Sequence, residues 1–271
     1  MANKNNIKFS NVSLSHKNVT FEIKNLLELE IGKKYALVAP SGGGKSLFLS
    51  LLAGYPFMGW IGKKQNIEKF SFFGFEIIDE CFLSNLSLRK SFTYNKIWKT
   101  VFLPQYLPNV RYVTNVSSEI TFILKSIDFD ITKSEIDEVK KNIQKLIGND
   151  VLSKNLLDLS GGERRRVELF VRISAISSYS KKHENTKILL LLDEPTTGFD
   201  MRSEREFFNL IGDEFGKIKN NAILVFSTHA LYLLKENIAD EIVILEKSKF
   251  KKQGSFSELK PTIEGIFGGK L

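Results

Sequence analysis

Tyr35-Ala36-Leu37-Val38-Ala39-Pro40-Ser41-Gly42-Gly43-Gly44-Lys45-Ser46-Leu47-Phe48-Leu49-Ser50-Leu51-Leu52-Ala53 decides the fold of this chain. Tyr35 to Val38 is an apolar, strand-like run, and Leu47 to Ala53 reads as a helix. Between them a glycine-rich turn points successive backbone N–H groups inward, which makes a cradle for phosphate oxygens at the start of a helix. Ala39, Pro40, Ser41, Gly42, Gly43 and Gly44 form that turn. Lys45 then stands to reach the β- and γ-phosphates, and the Ser46 hydroxyl to ligate Mg2+. The pattern G-x-x-x-x-G-K-[ST] is met except at its first glycine, which is Ala39 here. The departure requires only that Ala39 keep the negative φ that alanine prefers. The stretch is a nucleotide-phosphate site.

Two further motifs bear on the same chemistry. Leu189-Leu190-Leu191-Leu192-Asp193-Glu194 is an apolar run ending in two acids. A carboxylate at the carboxyl end of a buried strand beside a phosphate loop stands across the crevice from the phosphates. Asp193 can hold Mg2+ there, directly or through water. Glu194 points differently and is placed to polarise a water for attack on the γ-phosphate. Leu159-Ser160-Gly161-Gly162-Glu163 opens another helix and is followed by Arg164, Arg165 and Arg166. Ser160, Gly161 and Gly162 make a second anion-binding helix end, and the arginines read as a solvated face. One chain thus carries two phosphate-binding ends but one complete phosphate loop.

Composition narrows the class. At 271 residues the chain suits one large domain or two small ones. Its 42% hydrophobic and 26% charged content is that of a soluble globular protein. Apolar runs such as Ile188–Leu192 fall far short of the ~20 residues that cross a bilayer. The polar start, Met1 to Asn6, lacks a signal-peptide apolar region. The single cysteine, Cys81, excludes an internal disulfide, fits a reducing cytosol and reads as a passive core thiol. The net charge of +8 is spread along the chain, with modest clusters at Lys63-Lys64, Lys181-Lys182 and between Lys247 and Lys252. Such clusters read as solvated loops, and charge decides nothing about partners.

Along the chain, Val19 to Ile23 and Leu27 to Ile31 alternate like antiparallel strands with one wet face. Gly54-Tyr55-Pro56 closes the first helix, Phe70 to Ile78 reads as a strand, and Val101 to Leu103 is a short strand before Pro104 and Gln105. Thr132 and Glu135 form a capping-box pair ahead of Ile136, Val139, Ile143, Leu146 and Ile147, which recur at helical spacing up to Gly148. Ser160 to Ile176 is a second strong helix with Val167, Phe170 and Val171 on one face, and Ser177 to Thr186 reads as an exposed polar loop. Ile188 to Leu192, Ala222 to Phe226 and Glu241 to Leu245 read as buried parallel strands. The first two are separated by a helix capped by Ser203 and Glu206 that carries Phe207, Phe208, Leu210 and Ile211. Such alternation of strand and helix indicates a mostly parallel sheet covered by helices.

With these pieces in place, the chain resembles the nucleotide-binding subunit of ATP-binding cassette (ABC) proteins from about Ile7 to about Gly254. Ala39 to Ser46 matches the Walker A loop, Leu159 to Glu163 the signature, and Leu189 to Glu194 the Walker B strand. Gln105 matches the Q-loop glutamine that touches Mg2+ and the attacking water. His229, in Ser227-Thr228-His229, matches the switch histidine that contacts the γ-phosphate. Asp200 matches the D-loop aspartate, although Thr197-Gly198-Phe199 departs from the usual residues before it. His16 falls where the family stacks an aromatic ring on adenine, and an imidazole stacks more weakly. The stretches from Phe57 to Lys99 and from Ser177 to Thr186 are longer than the family's and read as surface elaborations.

The resemblance implies an α/β fold with a phosphate-loop (RecA-like), mostly parallel sheet, an N-terminal antiparallel β subdomain and an inserted α-helical subdomain. A single domain would cover 1–271, with a core at about 1–105 and 177–250, a helical subdomain at about 106–176 and a short tail at 251–271. It implies ATP and Mg2+ as cofactors. Two cassettes, identical or different, would dimerise head to tail with Ser160 and Gly162 clasping the γ-phosphate held by the other copy. It further implies a multi-span membrane permease as partner, with a coupling helix received between Gln105 and Lys125. No nucleic-acid partner is expected. The chain would work as a transport ATPase in the cytoplasm, peripheral on the inner face of the plasma membrane. The alternative is a soluble ATPase of an assembly complex, such as an iron–sulfur scaffold, which shares the Ser-Gly-Gly-Glu signature.

Overall fold

The computed structural model describes residues 6–9, 12–16, 19–53, 98–103, 105 and 115–268. The expected strand Phe70–Ile78, the turn Gly54-Tyr55-Pro56, Cys81, and nearly all of the stretch from Phe57 to Lys99 lie outside those residues. The chain divides into two compact units, Met1–Pro104 with Thr186–Pro195 and Asn220–Leu271, and Gln105–Asn185 with Thr196–Lys219.

In the first unit the strands are β1 (Asn6–Phe9), β2 (Val12–His16), β3 (Val19–Ile23), β4 (Leu27–Glu30), β5 (Lys34–Val38), β6 (Trp98–Leu103), β7 (Lys187–Leu192), β8 (Ala222–Ser227), β9 (Glu241–Glu246) and β10 (Lys249–Gly254). β1 and β4 form a separate antiparallel pair. The rest make one sheet in the order β2-β3-β10-β9-β5-β8-β7-β6. Strand β5 lies between β8 and β9, parallel to both, and β7 lies parallel between β8 and β6. The alternation in β4 has its expected cause, since Leu27 and Leu29 are buried while Glu28 and Glu30 are not. Leu29 joins Ile7, Phe21, Leu37, Leu189, Leu191, Ile223 and Val225 in one core. Helix α1 (Lys45–Leu52) adds Phe48, Leu49 and Leu52 to that core, with the Phe48 ring stacked on Phe21 at 5.7 Å. The non-alternating runs of β7 and β8 are buried on both faces, as continuous apolar strands require.

The stretch 251–271 is more than the short tail expected. Strand β10 pairs antiparallel with β9, and helix α6 (Phe256–Phe267) follows from a Ser255/Glu258 capping box. β10 is hidden in sequence because Lys249-Phe250-Lys251-Lys252 carries a single apolar residue, and its stability comes from ladder bonds to β9.

The second unit is built on α2 (Val116–Ile127), α3 (Lys133–Ile147), α4 (Gly161–Lys182) and α5 (Met201–Gly216). Ile120, Leu124, Ile136, Val139, Ile143, Val167, Phe170 and Val171 fill its core. The Thr132/Glu135 capping box forms as expected, and α3 stops at Gly148, whose φ is 145°. Three expectations are corrected. Helix α5 begins after Asp200, whose carboxylate accepts from the Arg202 and Ser203 N–H groups, so Ser203 is inside the helix rather than its cap. Residues 196–219 pack with the helical unit, and its boundary runs to Asn185 rather than 176.

The third correction explains the second. Ser177 to Lys182 is the last part of α4, with Ser177, Ser178 and Ser180 buried. Ser178 Oγ lies 2.6 Å from Glu135 Oε1 and 2.9 Å from Asp128 Oδ2. Lys182 Nζ donates to Asp128 at 2.9 Å, to the Asp130 carbonyl at 2.9 Å and to Glu135 at 3.3 Å. Two of the polar residues that resemble a loop, Ser178 and Lys182, are therefore donors to carboxylates far away in sequence. Burial would raise the Glu135 pKa, but hydrogen bonds from Ser178, Thr132 and Lys182 outweigh it and bring it to about 2. A carboxyl depressed in the folded state stabilises above its unfolded value and loses that stabilisation as pH falls. The window here runs from 4.5 down to about 2. Glu135 is 32% exposed, and solvent screening leaves roughly 1 kcal/mol. Lys182→Ala, which leaves the Ser178 and Thr132 bonds in place, should lower stability in urea at neutral pH by at most about that amount and partly flatten its fall across the acid window. An unchanged pH slope would contradict this account.

Candidate active site

Because β5, β8 and β7 are neighbours and parallel, their carboxyl ends lie side by side. After β5 comes the phosphate loop, after β7 the acids Asp193 and Glu194, and β8 ends at Ser227, just before His229. This is the crevice in which open α/β sheets bind ligands.

The loop's glycines have identifiable reasons. Gly42 and Gly44 adopt φ of 71° and 98°, which side chains disfavour. At Gly43 a Cβ would meet Ala39 Cβ at 2.7 Å and the Pro40 carbonyl oxygen at 2.9 Å. Ala39 does not take a positive φ, so alanine fits the first position of the pattern as expected. From behind, the turn between β9 and β10 supports the loop, as the Ser248 N–H donates to the Gly43 carbonyl at 3.1 Å. A cradle with no side chain from Gly42 to Gly44, opening a helix, fits phosphate oxygens.

Lys45 begins α1 and is 6% exposed. Its Nζ lies 2.9 Å from His229 Nε2, 3.6 Å from Glu194 Oε1 and 3.4 Å from the Ala39 carbonyl. His229 Nε2 is in turn 2.9 Å from Glu194 Oε1. One ring nitrogen cannot serve both neighbours alike. With a proton on Nε2 it donates to Glu194, and with a lone pair there it accepts from Lys45. Burial pushes the Lys45 pKa down, opposed by the charges of Glu194 and Asp193. Asp193 is 4% exposed, and its Oδ1 accepts from the Ser227 hydroxyl at 2.7 Å. Glu194 has a φ of 43°, which turns its side chain out of the strand pattern. Ser46, in the first turn of α1, is exposed. Ser46 and Asp193 are both hard oxygen donors, the type Mg2+ takes along with substrate phosphates.

The second unit holds the other expected residues. Gln105 Nε2 donates to Thr197 Oγ1 at 3.5 Å. Ser160 caps α4, its oxygen accepting from the Glu163 N–H at 3.2 Å while Glu163 accepts from the Ser160 N–H at 2.8 Å. Gly161 has open space where a Cβ would stand, and at Gly162 a Cβ would be 3.7 Å from the Gly198 carbonyl oxygen. Asp200, besides capping α5, accepts from Ser203 Oγ at 2.8 Å. Arg165 and Arg166 do not belong to a solvated face. Arg165 is buried, and Arg166 donates to Ser203 at 2.9 Å with its guanidinium 5.6 Å over the Phe199 ring. A hydrogen bond to Ser203 draws Arg166 inward against α5, which a charge count does not register. His16 ends β2 and pairs with Val19; its side chain lies outside what the structure describes. Sequence reasoning missed Ser227, whose only signal was a hydroxyl ending an apolar strand beside the acids.

Residues 24–197 match the family described as ABC transporter. The chain is 29% identical over 261 residues to the energy-coupling factor transporter ATP-binding protein EcfA3 of Oenococcus oeni, covering 93% of this chain and 80% of that one. It is 22% identical to the hemin import ATP-binding protein HmuV of Aliivibrio fischeri, covering 97% and 93%. Among solved structures, cbiO1 from Clostridium perfringens, part of the ABC transporter complex cbiONQ, superposes with a TM-score of 0.60 at 17% identity, covering 97% of this chain and 90% of that one. That likeness bears on the fold alone.

Proposed function

As this chain belongs to the ABC transporter family, we propose that it is the ATP-binding and ATP-hydrolysing subunit of a transporter, powering a separate membrane subunit through ATP-driven dimerisation. The observation that carries this reading is the meeting of Lys45, Glu194 and His229 within 3.6 Å at the carboxyl ends of three adjacent strands. The names of EcfA3 and HmuV favour transport over the soluble assembly reading.

The N–H groups from Ser41 to Ser46 and the Lys45 ammonium hold the ATP phosphates. Ser46 and Asp193 would hold Mg2+, which would supply charge neutralisation on the phosphates, and Gln105 keeps the Q-loop role that the resemblance implies. Glu194 accepts a proton from the water that attacks the γ-phosphorus, while ADP leaves. His229 steadies the γ-phosphate. From a second cassette, Ser160, Gly161 and Gly162 close over the same γ-phosphate; the Ser160 hydroxyl accepts within its own cap and keeps its proton to donate. Asp200 belongs to that same junction, and His16 is assigned to the adenine. Among the described residues no helix is long and apolar enough to cross a membrane. In this reading the membrane passage falls to a separate permease subunit, with this chain peripheral on its cytoplasmic side.

The test is affinity purification from source cells in mild detergent, followed by an ATPase assay with Mg2+. Recovery with a multi-spanning membrane protein, together with hydrolysis, is expected. A soluble complex without one would overturn transport while leaving the ATPase. Absence of hydrolysis would overturn both.

A further inference from the structure

Ser227 is the last residue of β8, and the five before it are apolar and buried. It is itself 0% exposed. A hydroxyl at such a place is costly unless both its donor and acceptor capacities are used. Both are. The Ser227 O–H donates to Asp193 Oδ1 at 2.7 Å, and its oxygen accepts from the Glu194 N–H at 2.7 Å. The register explains the meeting, since Leu192 pairs with Phe226 and the next residues, Asp193 and Ser227, stand level. The same register aligns Ser227 with Leu37, just ahead of the phosphate loop. At Glu194 the backbone leaves the strand for a φ of 43°. Its N–H, turned away from any ladder partner, is caught by the Ser227 oxygen. An alanine would end β8 as well for packing but would hold neither group.

We propose that Ser227 is the positioning residue of the hydrolytic site, a single buried hydroxyl that fixes the carboxylate of Asp193 and the left-handed turn of Glu194 together. The metal-holding and proton-accepting acids then share one anchor, and neither can shift without the other. This rests on the assignment of Asp193 and Glu194 made above.

The experiment uses the full chain carrying Ser227→Ala, with Ser227→Thr and Ser227→Val as a pair that adds similar bulk but differs in the hydroxyl. Three quantities are measured: affinity for a fluorescent ATP analogue in EDTA, Mn2+ affinity of the ATP complex by electron paramagnetic resonance, and kcat with Mg2+. Ser227→Ala should bind the analogue in EDTA like the wild type, yet lose about 10- to 100-fold in both Mn2+ affinity and kcat, as loss of an orienting partner of a metal ligand does. Ser227→Thr should recover much of that loss and Ser227→Val none. Unchanged Mn2+ affinity in Ser227→Ala overturns the proposal. So does an equal loss in EDTA, which would mean a general collapse of the site, and so does equal behaviour of the Thr and Val variants, which is readable even where Ala misfolds. Wild-type hydrolysis with an unaltered Ser227→Ala variant sinks this proposal alone, whereas an inactive wild type sinks the ATPase assignment beneath it.

Discussion

Glu194→Gln should leave ATP bound and almost stop its hydrolysis, with kcat falling by about 10²–10⁴, the usual contribution of a positioned general base. The substitution keeps size and shape at a residue whose backbone is already in the left-handed region, at φ 43°. It therefore tests charge and basicity rather than packing. The Glu194 N–H still donates to Ser227, so the turn that aims the side chain persists. What disappears is a carboxylate able to take the proton of the attacking water, because an amide does not accept one at neutral pH. Its negative charge beside Lys45 also goes, and with it a force holding the ammonium protonated against burial. Bound phosphates replace that charge, so nucleotide affinity should hold. If ATP joins two cassettes and hydrolysis parts them, the variant should elute as a lasting dimer when incubated with ATP and Mg2+. Steady-state phosphate release and size-exclusion chromatography read both effects. A variant hydrolysing at the wild-type rate would remove Glu194 from the role of base.

Much of the site was legible because its chemistry is written in contiguous residues. The strand and helix flanking the glycine-rich turn, the Leu189–Leu192 strand and the Thr132/Glu135 cap each depend on neighbours within a few positions, and each forms as local structure. The alternation of β4 was legible for the same reason. Apart from the cap of α5, which Asp200 and not Ser203 supplies a few residues away, the failures involve partners distant in the chain. Ser178 and Lys182 look like part of a loop until Asp128 and Glu135 are brought against them. Arg166 looks solvated until Ser203 of α5 and Phe199, ahead of that helix, reach it. Ser227 looks like the end of a strand until register sets it level with Asp193. β10 has almost no apolar signal, since its pairing with β9 is a matter of backbone. A polar residue in a helix or strand interior thus reports a tertiary partner more often than a boundary. No local pattern says which partner that is.

Lys45→Ala should weaken ATP binding by about 2–4 kcal/mol, roughly 30- to 1000-fold, the range for removing one partner of a desolvated charge pair. The size of the effect follows from the surroundings of the ammonium. Lys45 is 6% exposed, and there solvent screening is weak and a phosphate would feel its charge almost undiminished. Burial already works against its protonation, so the state without nucleotide gains little from the charge, and Ala removes stabilisation mainly from the bound state. Glu194 and His229 remain 2.9 Å apart and keep one another as partners. The variant should therefore melt near the wild-type temperature when no nucleotide is added. Saturating ATP stabilises a folded protein by RT ln(1 + [L]/Kd), about 2.7 kcal/mol at a hundredfold excess over Kd. The wild type should show that rise in melting temperature, and Lys45→Ala should show about a third of it or less at the same ATP concentration. Lys45→Arg should fare no better, because a planar guanidinium is too wide for a site enclosed by the Ala39 carbonyl and His229. A fluorescent-nucleotide titration giving the wild-type Kd for Lys45→Ala would remove this lysine from the phosphate site.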